Sequence, residues 1–155
     1  MIHATVTRSI EASYDEIWPL LSDLTKVVDY HPNVSSVDLI TSNKEGVGAA
    51  RICHFFDGTS VTETVSEADA KHLKLQLSEF TAPLDELHAE MDSKALSERA
   101  TEVTFHLSYT VKYGPLGFLM GVTLIKPQMK KLATSVLLGL DNHVHGRPVK
   151  KKGKM

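Results

Sequence analysis

The chain has 155 residues, with 17 basic and 19 acidic side chains and a single cysteine, Cys53. This length predicts one domain that is large enough to bury a substantial hydrophobic core. One cysteine excludes an internal disulfide bond and a zinc site built from cysteines. No stretch reaches the roughly 18 apolar residues of a membrane span. The N-terminus also lacks the pattern of a secretory signal, so we expect a cytoplasmic protein.

The charges are distributed unevenly along the chain. Residues 147–155, RPVKKKGKM, contain five basic residues and no acidic residue, whereas the remainder has an acidic balance. We therefore predict a single domain at residues 1–145 and a basic, disordered tail at residues 146–155. The acidic balance of the domain argues against nucleic-acid binding as its main activity.

The N-terminal segment predicts a strand followed by two short helices. Residues 2–10 contain several β-branched residues in loose alternation, which is typical of a strand. The spacing of Ser13 and Glu16 is that of a capping box, so a helix should begin there. Pro19 lies inside the helical pattern and is expected to distort this helix or end it early. A second short helix is predicted at about residues 23–30.

The middle of the chain predicts an antiparallel sheet, and the last third predicts a helix that covers it. Turn signals, such as the one at Asp57, divide residues 33–113 into five or six strands. Apolar and polar residues alternate clearly over residues 103–113, which indicates one covered face and one wet face. A wide apolar stripe over residues 114–143 predicts a long helix. Pro127 should kink that helix.

Several segments, taken in this order, are similar to a known protein family. They are ASYDEIWPLLSDLTKVVDYHPNV, then GVGAAR, DGTSVTETV, and VKYGPLG leading into KPQMKKLATSVLLGL. Together they resemble the START-like or helix-grip superfamily, which includes polyketide cyclases and aromatases, lipid-transfer domains, birch-pollen-type (Bet v 1-like) allergens and plant hormone receptors. The resemblance implies an α+β helix-grip fold: a curved antiparallel sheet of six to seven strands wrapped around a long C-terminal helix, with two short helices after the first strand.

A sheet curved around one helix encloses space, and such a cavity is the usual form of a small-molecule site. Strand alternation and helical spacing predict which side chains face it. The predicted ligand-binding set is His31, Arg51, Cys53, Phe55, Val61, Glu63, Leu75, Leu77, Leu87, Ala89, Phe105, Leu107, Tyr109, Met120, Leu124 and Gln128. The resemblance implies that ligand-contacting polar groups stand at the positions of His31, Arg51 and Glu63.

The polar members of this set have more than one interpretation. Arg51 and Glu63 could form only an ion pair between adjacent strands, because a charge that faces inward needs a partner. They could instead anchor a ligand oxygen, with Arg51 as the anion clamp. Cys53 fits a small core residue. His31 either faces the cavity or belongs only to a turn before Pro32.

Two functions fit these patterns. The favoured one is a carrier or sensor that binds a hydrophobic small molecule, such as a lipid, a fatty acid, a quinone or a polyketide-like ring. The alternative is a polyketide cyclase, aromatase or dehydratase, in which His31, Glu63 or Tyr109 transfers a proton and Arg51 stabilises the enolate oxygen. His31 is the best candidate for proton transfer, because an unperturbed imidazole titrates near ~6.5.

No cofactor or metal is expected, since the chain has no P-loop, HExxH or dinucleotide-binding motif. The spacing of His143 and His145 would suit a surface metal, but this pair alone is a weak signal. The apolar stretch 116–122 could be a lid, a homodimer surface or a transient membrane contact, and the basic tail could also touch a membrane. Four histidines are predicted to lie on the outer sheet face: His54, His72, His88 and His106.

Overall fold

The computed structural model describes residues 1–151. In chain order the elements are β1 (Ile2–Ile10), α1 (Tyr14–Ser22), a 3₁₀ turn (Leu24–Lys26), α2 (Val27–Tyr30), β2 (Val34–Leu39), β3 (Ala50–Phe55), β4 (Ser60–Ala68), β5 (His72–Ser78), β6 (Leu84–Ser97), β7 (Ala100–Val111), α3 (Gly114–Met120), a π-helical turn (Gly121–Ile125) and α4 (Lys126–Val144). This order confirms the predicted helix-grip fold. Within residues 1–151, none of the helices has the length and apolar content that crossing a bilayer requires.

The seven strands form one antiparallel sheet in the order β1-β7-β6-β5-β4-β3-β2. Strands β2 to β7 each pair with their neighbours in sequence. Strand β1 lies at one edge of the sheet and pairs with β7. Register shifts interrupt the β2–β3, β4–β5 and β6–β7 ladders. Such bulges bend strands and increase their twist, which curves the sheet around the helix. The alternation predicted for β7 is observed, since Val103, Phe105 and Leu107 are buried on the covered face.

The predicted capping box begins α1. The Ser13 hydroxyl accepts a hydrogen bond from the Glu16 amide, and the Glu16 carboxylate accepts one from the Ser13 amide at 2.8 Å. Pro19 does not end α1 early, because the helix continues to Ser22. Pro19 cannot donate to the carbonyl of Asp15, but Asp15 is exposed, so water can bind that carbonyl.

The long C-terminal helix is continuous from α3 through α4 but changes its winding at residues 121–125. There the amide of Lys126 donates to the carbonyl of Gly121, five residues earlier. Pro127 follows directly, and it has no N–H and crowds the carbonyl four residues before it. The wider π-helical turn thus lies directly before Pro127. The kink predicted there stays a prediction.

Helix α4 crosses α2 closely at Gly139. A Cβ atom at this position would lie 2.1 Å from the carbonyl oxygen of Tyr30, so the crossing requires glycine. Ala133, Val136 and Leu137 are fully buried on the same helix. This contact fixes α2, and with it the residues that follow α2, against the long helix.

The residues after α4 contact the start of β2. Residues 146–151 form no helix or strand, but the Lys151 ammonium donates to the carbonyls of Val28 and His31, the latter at 2.9 Å, and lies 3.4 Å from that of Val34. The last four residues lie outside the described part of the chain. The prediction of a disordered tail stays a prediction.

Candidate functional site

A cavity of about 810 Å³ lies between the covered face of the sheet, α2 and α4. This volume falls in the range of small-molecule sites, roughly 300–1,000 Å³. Most of the lining is apolar and comes from β3 to β7 and from the long helix. The lining residues that are exposed to solvent mark the mouth of the cavity: Phe56, Asp57, Ala82, Gln128 and Lys131.

The deep polar group of the cavity is an ion pair between β3 and β4. Arg51 and Glu63 are directly opposite each other in the ladder, and both are buried. The Arg51 Nη2 donates to Glu63 Oε2 at 3.1 Å, and Nη1 donates to the carbonyl of Leu24 at 2.9 Å. The other Glu63 oxygen accepts from the Cys53 thiol at 3.2 Å. The sheet register therefore brings together the two charges that strand alternation predicted to point inward.

Both members of this pair are ionised. Burial alone would raise the pKa of Glu63, but the Arg51 charge and the bonds from Cys53 and Arg51 hold it below its usual value. Burial alone would lower the pKa of Arg51, but Glu63 holds it above its usual value. The pair thus places no net charge in the cavity. Burial also raises the pKa of the Cys53 thiol, so this group is a neutral donor and a poor nucleophile.

Two buried polar atoms of the lining have no hydrogen-bond partner among residues 1–151. They are Arg51 Nε, a donor, and Asn33 Oδ1, an acceptor. Buried polar atoms without a partner are uncommon in folded proteins, because each carries a desolvation cost. Together they offer one donor and one acceptor to a molecule inside the cavity.

His31 belongs both to the turn and to the cavity. Its Nδ1 accepts a hydrogen bond from the amide of Asn33 at 3.1 Å, which stabilises the turn after α2 and leaves the neutral ring's proton on Nε2. Its ring also lines the cavity, 6.2 Å from the ring of Phe55 between centroids. The neighbouring Tyr30 is buried in the lining, and burial raises its pKa to about 12, so its phenol is neutral.

The structure brings most of the predicted site residues into the lining. These are His31, Arg51, Phe55, Val61, Glu63, Leu75, Leu77, Ala89, Phe105, Leu107 and Gln128. Their predicted role in binding a ligand stays a prediction.

Two predicted residues of the long helix lie outside the lining. In a regular helix, a spacing of four residues puts Met120 and Leu124 on one flank with Gln128. The π-helical turn adds a residue to that turn and changes the register. Leu124 consequently points to solvent, with 61% of its surface exposed. Ile125 and Met129 contribute to the lining instead.

Three predicted sheet residues also lie outside the lining. Tyr109 is buried, and its hydroxyl donates to the carbonyl of Gly121 at 2.8 Å, so it supports the π-helical turn. Leu87 pairs with Tyr109 in the ladder and lies at the same end of the sheet. Cys53 is fully buried behind Glu63. All three point to the covered face, but other groups of the protein cover them.

Tyr30 and Asn33 line the cavity at its polar end, although the sequence patterns did not predict them there. Both flank His31 and Pro32. Their place in the turn that carries His31 was the sequence feature that could have indicated a position at the cavity. Their orientation depends on the packing of α2 against α4, which no local pattern reports.

The outer sheet face carries the four histidines, as predicted, and each is half-buried. Among residues 1–151, His72, Glu90 and Asp92 have donor atoms close enough to hold a metal ion. However, His72 Nδ1 and Nε2 already contact the carboxylates of Asp92 and Glu67, at 2.7 and 3.0 Å. Burial alone would lower the pKa of His72, but these carboxylates raise it. Both ring nitrogens are therefore already engaged, so the group fits a hydrogen-bonded surface cluster better than a metal site.

Comparison with known families identifies the fold's relatives. Residues 1–144 match the family described as "Polyketide cyclase / dehydrase and lipid transport". The chain belongs to this family. The match confirms the resemblance to the START-like superfamily. No curated protein matches the sequence.

Three solved structures illustrate the fold that this chain shares. The di-domain ARO/CYC BexL from the BE-7585A biosynthetic pathway aligns with a TM-score of 0.78 and 16% identity, over 94% of this chain and 47% of that chain. A START superfamily protein from Mycobacterium smegmatis aligns with a TM-score of 0.66 and 17% identity, over 93% and 94%. Ara h 8.0201 aligns with a TM-score of 0.73 and 12% identity, over 94% and 99%. At these identities the comparisons support the shared fold alone.

Proposed function

We propose that the protein binds an apolar small molecule in this cavity, as a carrier or sensor, with an uncharged polar end of the molecule against Arg51. The observation that carries the proposal is the apolar cavity of about 810 Å³ whose deep polar group is a neutral ion pair with one unfilled donor, Arg51 Nε. Family members are described as acting in lipid transport or polyketide chemistry, and both classes of molecule are apolar.

Because the ion pair is neutral, it favours a ligand whose polar end is uncharged. Glu63 already neutralises Arg51, so a ligand carboxylate at this depth would leave one buried negative charge without a partner. A ketone, quinone, ester or hydroxyl oxygen accepts from Arg51 Nε without adding charge. A quinone or a polyketide-like ring therefore fits the deep end. A fatty acid fits only in the opposite direction, with its carboxylate near Lys131 at the mouth.

Displacement of Nile red, a neutral apolar dye, by hexadecanol and by palmitate tests this selection. The two ligands share one chain length and differ in the charge of the polar end. We expect the alcohol to displace the dye at a concentration at least about tenfold lower, which corresponds to about 1.4 kcal/mol. The double variant Arg51→Met, Glu63→Leu removes the donor without leaving an unpaired charge and should reduce that preference. Lys131→Ala should affect palmitate alone. Equal affinities in the wild type, unchanged in the double variant, would contradict the selection.

A second test asks whether the cavity binds anything. Ala89→Phe fills the cavity, because Ala89 lies in the lining on β6. Ala95→Phe makes the same change on the same strand at an exposed position. We expect the first variant to lose dye binding and the second to retain it, with native mass spectrometry of the protein purified from its host as an independent readout of retained cargo. If a folded Ala89→Phe protein still binds the dye, this cavity is excluded as the binding site.

The second candidate function is a cyclase or dehydratase of the same cavity, and the position of His31 in the lining favours it. Glu63 fits the role of base poorly, because both of its oxygens already accept hydrogen bonds and its pKa is low. Incubation with a poly-β-ketone thioester, followed by mass spectrometry, separates the two functions. A carrier leaves it unchanged, whereas loss of water that disappears in His31→Gln would establish the enzyme.

A further inference from the structure

The beginning of the long helix buries small residues and exposes large apolar ones. A Cβ atom at Gly117 would lie 1.7 Å from the carbonyl oxygen of Lys112, and one at Gly121 would lie 2.5 Å from Ile2 Cδ1. Glycines therefore form the side that packs on β7 and β1. The outer side carries an apolar face, exposed by 41–74%, which consists of Leu116, Phe118, Leu119, Val122 and Leu124. A helix that faces water has the opposite arrangement, so this one is built to contact an apolar partner.

Lysines precede and follow the apolar face in the sequence, and acidic residues are absent from this part of the chain. Residues 112–140 contain none of the 19 acidic residues of the chain, and their charged residues are Lys112, Lys126, Lys130 and Lys131. None of these lysines forms a salt bridge with another of residues 1–151. This segment therefore combines exposed apolar side chains with positive charge, whereas the other residues of positions 1–146 have an acidic balance.

We propose that this apolar face docks the protein on a membrane surface that contains anionic lipids. The apolar side chains enter the boundary between headgroups and acyl chains, while the lysines contact the headgroup charges. A second copy of the chain is a poorer partner. A two-fold contact through the face would bring the same lysines together, and residues 112–140 supply no acidic group to pair with them.

The docking surface is continuous with the mouth of the cavity. Ile125 follows Leu124 directly and lines the cavity, and Gln128 and Lys131 stand at its mouth one and two turns later. A protein docked through the apolar face would hold its cavity opening beside the bilayer. The proposal does not require that the cavity bind a ligand, so the two proposals can fail separately.

Co-sedimentation with lipid vesicles tests the proposal. The vesicles are phosphatidylcholine alone or phosphatidylcholine mixed with phosphatidylglycerol, at low and high salt. The Phe118→Asp, Leu119→Asp double variant removes apolar contact, and the Lys126→Glu, Lys130→Glu double variant reverses charge. Leu138→Asp is the matched control, because Leu138 is an exposed apolar residue of α4 outside the face. Circular dichroism verifies that each variant is folded.

We expect the wild-type protein and the control to sediment with the anionic vesicles and much less with the neutral ones. The double lysine reversal should lower the partition coefficient by at least about fivefold per lysine, and the double aspartate variant should stay in solution. Three results would overturn the proposal: no binding to anionic vesicles, equal binding to neutral vesicles, or retained binding by the aspartate variant. A wild-type dimer that becomes monomeric in the aspartate variant, measured by light scattering, would also overturn it in favour of a protein interface.

Discussion

Removing the Glu63 carboxylate should destabilise the protein far more than removing the whole ion pair. Arg51 is only 4% exposed, and Glu63→Ala leaves it without its carboxylate partner, although its bond to the carbonyl of Leu24 remains. Breaking a buried pair in this way costs about 3–5 kcal/mol. For a domain of this size, that loss corresponds to a fall in Tm of about 10 °C or more. The double variant Arg51→Met, Glu63→Leu removes both charges and should lie within about 2 kcal/mol of the wild type.

Urea and thermal unfolding of the delipidated protein, followed by circular dichroism, measure these differences without stabilisation by bound cargo. Lys74→Ala is the control, since Lys74 and Glu90 form a pair at 3.6 Å on the outer sheet face. Lys74→Ala should lower the free energy of unfolding by less than about 1 kcal/mol. The reasoning would be refuted by a Glu63→Ala cost no larger than that of the control, or by a double variant as unstable as the single one.

Three further predictions concern pH, the π-helical turn and the helix crossing. Because the folded pKa of Glu63 lies below its ordinary value of 4.5, its ionisation stabilises the fold above that value and the stabilisation is lost as pH falls through the folded pKa. The difference in the free energy of unfolding between wild type and Glu63→Gln, measured by urea titration, should be constant at about pH 6–7 and shrink in acid. A difference that grows in acid would contradict the lowered pKa of Glu63. Tyr109→Phe should cost about 0.5–1.5 kcal/mol in urea unfolding and leave Nile red affinity unchanged, because Tyr109 lies outside the cavity. Gly139→Ala should cost about 1–3 kcal/mol, because its Cβ would lie 2.1 Å from the carbonyl oxygen of Tyr30, and a wild-type Tm would disprove that close crossing.

The sequence was sufficient to predict the fold and the charged pair at the deep end of the cavity. Strand side chains alternate with a period of two, so a correct strand assignment also assigns the face of each residue. Arg51 and Glu63 follow from this rule alone, although each is charged and points into an apolar interior. The sheet register then makes them direct neighbours.

Residues of the long helix were harder to assign. A regular helix repeats every 3.6 residues, but the turn before Pro127 is π-helical, and each residue on one side of it is rotated relative to the other side. That is why Gln128 lines the cavity and Leu124 does not. Tyr109 and Leu87 illustrate a second limit: alternation identifies the covered face of a sheet but not which of its parts the helix covers.

The bond from Lys151 to the carbonyl of His31 affects how the protein should be produced. The family match ends at residue 144, and an expression boundary placed there would remove a donor that holds the polar end of the cavity. A purification tag fused close behind Lys151 could disturb the same bond. Ligand measurements are therefore best made on the full-length chain with an N-terminal, cleavable tag.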